Sequence, residues 1–505
     1  MSRGHALHHS LRVHRLSTRM TPYEALPCFA EEPYLCLLDN PGEPSAYGRY
    51  SFLCANPFLV FQSQGSTCQA GPPGHLRPLP GTPSEELKAL LTRYRSPVPS
   101  QAAGLPPFLG GAVGYLGYEL LHSLESIPAP GVNNLELPDA CLLFCGSVLA
   151  RDNLEDSSWV FTHGFGDSPA EASRQADTQL EDMLRRLASP PPSPPRPTQA
   201  ECIQRRKARL ARRPRLLEPH LAASQVRPFV SRAHYLEAVQ QSLRHIEAGD
   251  VFELCLTQRF DTEYTGAGQT LYHVLRAVHE APMAAYLRLP EAELLSASPE
   301  RLVRLDRERW AETRPIKGTR PRGTTPEEDA VLRRALETSE KDRAENLMIV
   351  DLARNDLGRV CEFGTVRVPS LCQVETYPMT HQLVSTVRGR LRPGLGAVEL
   401  LHAAFPGGSM TGAPKIQAMK LISQLEPSRR GVYSGSIGYF GFEGTMDWSI
   451  VIRTLLKQGP HISFHTGGAI VSDSSPEEEY QETLDKAHGL VLALELAREL
   501  DRSAP

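Results

Sequence analysis

The sequence predicts an α/β (α+β) protein with a large buried core, and three observations carry that expectation. Short apolar runs broken by turn residues recur through the first 150 positions, as in Pro33-Tyr34-Leu35-Cys36-Leu37-Leu38-Asp39-Asn40 and Gly48-Arg49-Tyr50-Ser51-Phe52-Leu53. This is the text of β-strands separated by tight loops. Amphipathic helical text lies between them, near Pro83 to Tyr94 and Pro169 to Leu187. The 505 residues exceed the length at which a single simple core keeps growing, so two domains or one large layered domain is expected.

In chain order, strands are expected between Tyr34 and Phe61, at Val113 to Leu121 and at Ala140 to Ala150. Ser189 to Pro228 breaks the pattern with Pro-Pro-Pro-Ser-Pro-Pro-Arg-Pro and then Arg205, Arg206, Lys207, Arg209, Arg212, Arg213 and Arg215. Such a stretch has little apolar surface to bury and reads as a partly extended linker, or as a basic patch for a partner. After Phe229 a helix is expected with Ser231 as N-cap, Leu236, Val239, Leu243 and Ile246 on one face, and Gly249 as its stop. A strand from Val251 to Phe260 follows, then one at Leu294 to Arg301. The expected divisions are therefore 1–20 as a disordered extension, 21–188 as an N-terminal domain, 189–228 as the linker and 229–505 as a catalytic domain.

Composition excludes several classes. A formal net charge of −4 with 22% charged residues gives no overall affinity for polyanions, so nucleic acid is not the expected partner. No apolar run approaches the roughly 20 residues a spanning helix needs, and the N-terminal text lacks a signal-peptide apolar region; the expected location is cytoplasmic. Residues 1–20 carry His5, His8, His9, His14 and four arginines without an acid, a transit-peptide-like composition as well as that of a disordered tail. The ten cysteines are scattered and lack zinc-ligand spacing, so reduced thiols are expected.

The chemistry gathers late in the chain. Arg314-Pro315-Ile316-Lys317-Gly318-Thr319-Arg320-Pro321-Arg322-Gly323 places a lysine on a loop stiffened by proline and opened by glycine. Asp342 and Glu345 share one helical face by i,i+3 spacing, as do Glu479 and Glu482 ahead of Lys486. Two such pairs suit Mg²⁺, a hard cation that takes carboxylate oxygens, although each pair alone also reads as a solvated helix face. Pro406 to Lys415 holds three glycines before a helix, a backbone able to approach an anion. Tyr433 and Arg453 sit on apparent strand text, and Thr466-Gly467-Gly468-Ala469 reads as a strand-terminal turn whose amides could hold a carboxylate. Together these describe a site for a small, multiply anionic ligand on a metal.

From about Phe229 to Leu500 the chain resembles the chorismate-utilising enzymes, the family of anthranilate synthase component I, aminodeoxychorismate synthase component I, isochorismate synthase and salicylate synthase. The resemblance rests on Ser298-Pro299-Glu300-Arg301, the Lys317 loop, Ala344 to Asp356, Gly412-Ala413-Pro414-Lys415 and Glu479 to Ala487, five motifs in order. The N-terminal third matches more loosely, chiefly at Gly48-Arg49-Tyr50-Ser51. Where feedback-regulated members have Leu-Leu-Glu-Ser in a tryptophan pocket, this chain has Leu37-Leu38-Asp39-Asn40, which argues against tryptophan inhibition.

The resemblance implies a large antiparallel β-sandwich with helices outside. It implies that Lys317, where anthranilate synthases carry alanine, is the nucleophile of an aminodeoxychorismate synthase, attacking C2 of chorismate as the C4 hydroxyl leaves. A lysine partly desolvated near Arg314, Arg320 and Arg322 would have its pKa pushed down and so be a neutral amine. By the same resemblance Glu300 is the general acid. Mg²⁺ is held by Glu345 and Glu482, with Asp342 and Glu479 acting through waters. Gly318, Thr319, Tyr433, Arg453, Gly467, Gly468 and Lys486 contact the substrate. Family members often have His immediately before Leu-Val-Ser; here Gln382 stands there and His381 one residue earlier, which suits an enzyme that stops before aromatisation unless His381 substitutes. No Gly-x-Cys-x-Gly motif of a glutaminase occurs, so ammonia is expected from a separate glutamine amidotransferase and the product is expected to pass to a separate lyase. Anthranilate synthase component I and a catalytically silent chorismate-binding subunit are the alternatives. The presence of Lys317, Glu300, Glu345 and Glu482 together disfavours the second.

Overall fold

The computed structural model describes residues 7–42, 45, 47–99, 104–128, 135–188, 198–212, 215–323, 325–377 and 380–503. Two 12-stranded antiparallel sheets form its centre. One runs from the edge strand His8–Arg15 through Leu35–Asp39, Met283–Arg288, Glu293–Ser298, Thr454–Gln458 and His461–Ile470 to Glu253–Glu263. The other runs from Ile316–Pro321 through Thr380–Arg390, Arg301–Leu305, Met446–Ile450, Ser436–Gly441 and Gly111–Leu116 out to Arg77–Leu79.

The apolar runs are continuous because many strands are buried on both faces. In Ala140–Cys145, Leu142 and Phe144 pack in one core cluster while Cys141, Leu143 and Cys145 pack in another, as period-two alternation requires. The cluster of Phe52, Phe108, Tyr115, Phe161, Leu287, Ile437 and Tyr439 draws on strands of both sheets and is the layer between them. The outer faces are covered by helices: Arg232–Glu247, Gly268–Val278 and Pro476–Ser503 on the first sheet, Pro83–Arg93, Glu340–Gly358 and Ala397–Ala404 on the second. This is the expected sandwich with helices outside.

Strand neighbours cross the boundary expected near residue 200. Leu35–Asp39 pairs with Met283–Arg288, and Gly111–Leu116 pairs with Ser436–Gly441, so both sheets are shared by the two halves of the chain. Two expectations about irregular segments are corrected. Within 1–20, His8–Arg15 is a strand paired with Ser157–Gly166; residues 1–6 lie outside the described residues. Within 189–228, Gln199–Arg212 and Glu218–Ala223 are helices, while 189–197 lie outside the described residues. Cys202 and Leu216 are buried, and Arg209 pairs with Glu495 and Glu499 of the last helix. Burying a few apolar side chains and neutralising cations orders what composition alone leaves unordered. All ten cysteines are free thiols, nine of them buried.

Candidate active site

The site lies where the two sheets meet the Glu340–Gly358 and Pro476–Ser503 helices. Lys317 stands on Ile316–Pro321, whose register with Thr380–Arg390 shifts between Ile316 and Thr319. The shift uses Gly318 at φ +81°, where a Cβ would stand 2.8 Å from Asp342 and from Leu336. Only glycine lets the strand turn there and approach the helix so closely. The bulge turns the lysine inward: its side chain is 12% exposed and Nζ lies 2.6 Å from Glu253 Oε1 and 3.8 Å from Glu345 Oε2.

Glu253 was not among the expected site residues. It opens Glu253–Glu263, is fully buried, and its Oε2 has no hydrogen-bond partner. The available signal was an acid at the head of a strand, followed directly by the apolar run Leu254-Cys255-Leu256. The expectation of a depressed lysine pKa is overturned. Burial alone would lower it, but the charges of Glu253 and then Glu345 outweigh that and hold the ammonium well above its usual range. The three arginines do not crowd it. Arg314 pairs with Glu375, Arg320 with Asp342 at 2.7 Å and Arg322 with Asp329 at 2.8 Å.

Glu300 follows the strand Glu293–Ser298 in a tight turn, its backbone N–H donating to Ser298 Oγ and its carbonyl accepting from Ile450 N–H. Ser409 Oγ, from the glycine-rich loop, donates to its Oε1 at 3.1 Å. Burial pushes this carboxyl up to about 7 against the opposing pull of Ser409, Ile316 N–H, Lys317 and Lys486. It is poised to hold a proton near neutral pH. A cavity with about 410 Å³ of empty space is lined by Glu300, Pro315, Ile349, Gly407, Gly408 and Ser409. Lys415, at the end of that loop, is used structurally, donating to Asp356 at 2.6 Å.

The two acidic pairs approach the lysine from different helices. Ser339 caps Glu340–Gly358 by accepting from Asp342 N–H, which sets Asp342 and Glu345 in the first two turns. Glu479 and Glu482 lie in the first turns of Pro476–Ser503 and both reach Gly468, where a Cβ would stand 2.8 Å from Glu479 Oε2 and 3.2 Å from Glu482 Oε1. Among the described residues no three His, Cys, Asp or Glu side chains gather as a metal cage. Their carboxylates are instead met by cations of the chain: Asp342 by Arg320, Glu345 by Lys317, and Glu482 by Lys486 at 2.7 Å. Glu479 Oε2 is buried with no partner. An orphaned carboxylate oxygen among all-oxygen donors fits a hard divalent cation.

The carboxylate-binding side differs from its expected form in two ways. Tyr433 and Arg453 lie in turns, Arg453 at φ +52°, not on strands. Thr466 to Ala469 is not a terminal turn but the interior of His461–Ile470, with Gly467 opposite Thr257 and Gly468 opposite Leu256. Tyr433 stacks on His465 at 5.1 Å, and Arg453 Nη1 donates to the carbonyl of Lys486, whose Nζ donates to that of Gly467. Thr319 is exposed, opposite Gln382 on the edge strand. His381 is turned to the outer layer, 2.9 Å from Asp329 Oδ1 and from Thr376 Oγ1. Its neighbour Gln382 therefore faces the opposite side.

Beneath the site lies a second group that sequence reasoning missed. Arg430, fully buried, donates to both oxygens of Glu426, to the carbonyls of Met410 and Cys255 and to Ser434 Oγ. It thereby ties the glycine-rich loop, the Glu253 strand and the Tyr433 turn. In the N-terminal part, Asp39 lines a cavity with about 630 Å³ of empty space and is committed to Arg276 at 2.9 Å. No helix among the described residues is long and apolar enough to cross a membrane.

Residues 36–491 match the family described as chorismate binding enzyme. The chain is 40% identical to aminodeoxychorismate synthase of Streptomyces pristinaespiralis, over 93% of this chain and 63% of that protein. It is 38% identical to aminodeoxychorismate synthase component 1 of Klebsiella aerogenes, over 92% of this chain and 95% of that one. The crystal structure of anthranilate synthase component I from Streptococcus pneumoniae superposes with a TM-score of 0.73 at 29% identity, covering 89% of this chain and 93% of that one. The chain thus spans less than two thirds of the Streptomyces protein and nearly all of the Klebsiella one.

Proposed function

The chain belongs to the chorismate binding enzymes, and on that premise we propose that it converts chorismate and ammonia to 4-amino-4-deoxychorismate through a covalent adduct on Lys317. The observation that carries the reading is the lysine itself, buried in the cleft with its amine on Glu253. An ammonium is not a nucleophile, so the proton must leave before attack. Glu253 Oε1 is within hydrogen-bond reach to receive it, and Oε2 has no competing donor. Lys317 Nζ then bonds to C2, both ring double bonds shift by one position, and the C4 oxygen leaves as water with the proton held by Glu300. Ammonia attacks C4, both double bonds shift back, and the C2–N bond breaks to release the lysine as the amine.

Around this exchange, Arg453 and Tyr433 hold the enolpyruvyl carboxylate, with Gly467, Gly468 and Lys486 shaping that wall. The N–H groups at Gly318 and Thr319 face the ring carboxylate. Glu345 and Glu482, with Asp342 and Glu479 farther out, would hold Mg²⁺, which would neutralise the charge of the ring carboxylate. Ammonia comes from a separate glutamine amidotransferase, in line with the component 1 naming of the Klebsiella relative. The product goes to a separate lyase for 4-aminobenzoate and folate, in the cytoplasm. The deciding experiment incubates purified protein with chorismate, Mg²⁺ and ammonium and adds the lyase. 4-Aminobenzoate is the expected product, and anthranilate as the main product overturns the reading.

A further inference from the structure

We propose that Arg206, from the helix Gln199–Arg212, and Arg453 form a two-guanidinium clamp for one ligand carboxylate, so that a segment outside the five motifs contributes to substrate binding. The inference rests on the reading of the cleft as a chorismate site and adds a second cation to it.

The cations of this helix have different surroundings. Arg205 and Lys207 are exposed, and Arg209 reaches Glu495 and Glu499. Arg206 turns inward, with Nη1 buried and without a hydrogen-bond partner. The helix packs on Gly268–Val278, which ends at His279, whose Nε2 is likewise buried and unpartnered. His279 presses on the last helix, where a Cβ at Gly489 would stand 2.3 Å from its ring. Less than one turn earlier on that helix, the carbonyl of Lys486 receives Arg453 Nη1. Arg206, His279 and Arg453 thus gather at one stretch of the helix that also carries Glu482: Arg453 and Arg206 both act electrostatically on His279, and the charge of Arg453 repels that of Arg206.

The balance of charge in this corner is uneven. Glu482 is shared between Lys486, which it pairs with directly, and Arg453, and Glu280 is the acid that acts on Arg206. Burial disfavours the charged form of both guanidiniums, and a buried cation is stable only when paired. A carboxylate entering beside Tyr433 supplies the missing acceptor. Guanidinium is the group suited to hold it, since its planar fork matches two oxygens. The clamp would select a ring acid that carries a second carboxylate on a side chain.

The test compares three substitutions by calorimetric titration with chorismate in the presence of Mg²⁺, with melting temperature measured alongside. R206M keeps the apolar stem and removes the charge; R206K restores the charge; R205M removes an exposed charge from the same helix. The expected result is a Kd raised tenfold or more in R206M, largely restored in R206K and unchanged in R205M, at constant melting temperature. Wild-type affinity in R206M, an equal loss in R205M, or a loss that follows a lowered melting temperature would each overturn the proposal. Because binding and not product is read, anthranilate formation would defeat the proposed reaction while leaving this result standing.

Discussion

Lys317 Nζ and Glu253 Oε1 meet at 2.6 Å although one stands on the edge of the second sheet and the other at the head of a strand in the first. The pair joins the sheets within the cleft, and each partner offsets the cost of burying the other. It also holds Lys317 as an ammonium.

Glu253→Gln keeps the shape and removes the proton acceptor. The expected effect is a fall in kcat of about 10²–10⁴-fold, the range for a lost general base, with little change in KM. Rapid-quench mass spectrometry should show the Lys317 adduct forming slowly, and an adduct at wild-type rate would place the base elsewhere. Glu253→Ala removes the closest partner of a buried cation, leaving only Glu345 farther off, and should lower stability by about 3–5 kcal/mol in denaturant titrations.

Lys317→Ala should abolish the adduct altogether. Adduct mass persisting in that variant would assign the nucleophile to another residue.

Glu300, pushed up to about 7 by burial, gives a prediction with a definite sign. In the proposed reaction its acid form is the active one, so the rate should fall as pH rises through about 7, and Glu300→Gln should lose that limb along with most of the rate. Stability moves in the same direction. A carboxyl whose folded pKa is raised contributes fully below its unfolded value near 4.5 and loses that contribution as pH rises through the folded one. The contribution is up to about 3 kcal/mol at roughly 1.4 kcal/mol per unit. Glu119 and Glu443, also raised to about 7 by burial, add to the same slope. The difference between wild type and Glu300→Gln isolates one carboxyl.

Glu479→Gln should raise the Mg²⁺ concentration required in the presence of chorismate by about 10–100-fold, the usual cost of losing an outer partner of a metal. Calorimetric Mg²⁺ titration reads this, and unchanged binding in this variant would remove Glu479 from the ion's surroundings.

Arg430→Met leaves Glu426 buried without its cation and should cost about 3–5 kcal/mol. Since Arg430 holds the carbonyl of Met410, one residue from Ser409, the variant should also shift the alkaline limb assigned to Glu300. A purely structural role would lower the melting temperature and leave the pH profile in place.

The parts of this site that were legible in the sequence are those carried by local spacing. Asp342 with Glu345, Glu479 with Glu482, the Ser231 cap and the glycine that frees Lys317 each depend on neighbours within a turn or two. Glu253 was not legible because its meaning depends on a residue 64 positions away and a lone acid in apolar text has no periodicity to betray it. Arg206 was hidden in a run of cations whose composition says nothing about which one turns inward. Tyr433 and Arg453 sit in apolar text that resembles strand, and the left-handed backbone of Arg453 leaves no trace in residue type. His8–Arg15 escaped notice because an edge strand bonded on one side needs no alternating apolar face.

The interleaving of the sheets sets an order in time. Thr454–Gln458 and His461–Ile470 lie between Glu293–Ser298 and Glu253–Glu263, so the strands that carry Glu253 and lead into Glu300 remain unjoined until nearly the whole chain has left the ribosome. Pairings this distant in sequence form late and slowly. The half-made protein therefore displays two open sheet edges during synthesis, and Glu253 and Glu300 come into register only when the last strands close the gap.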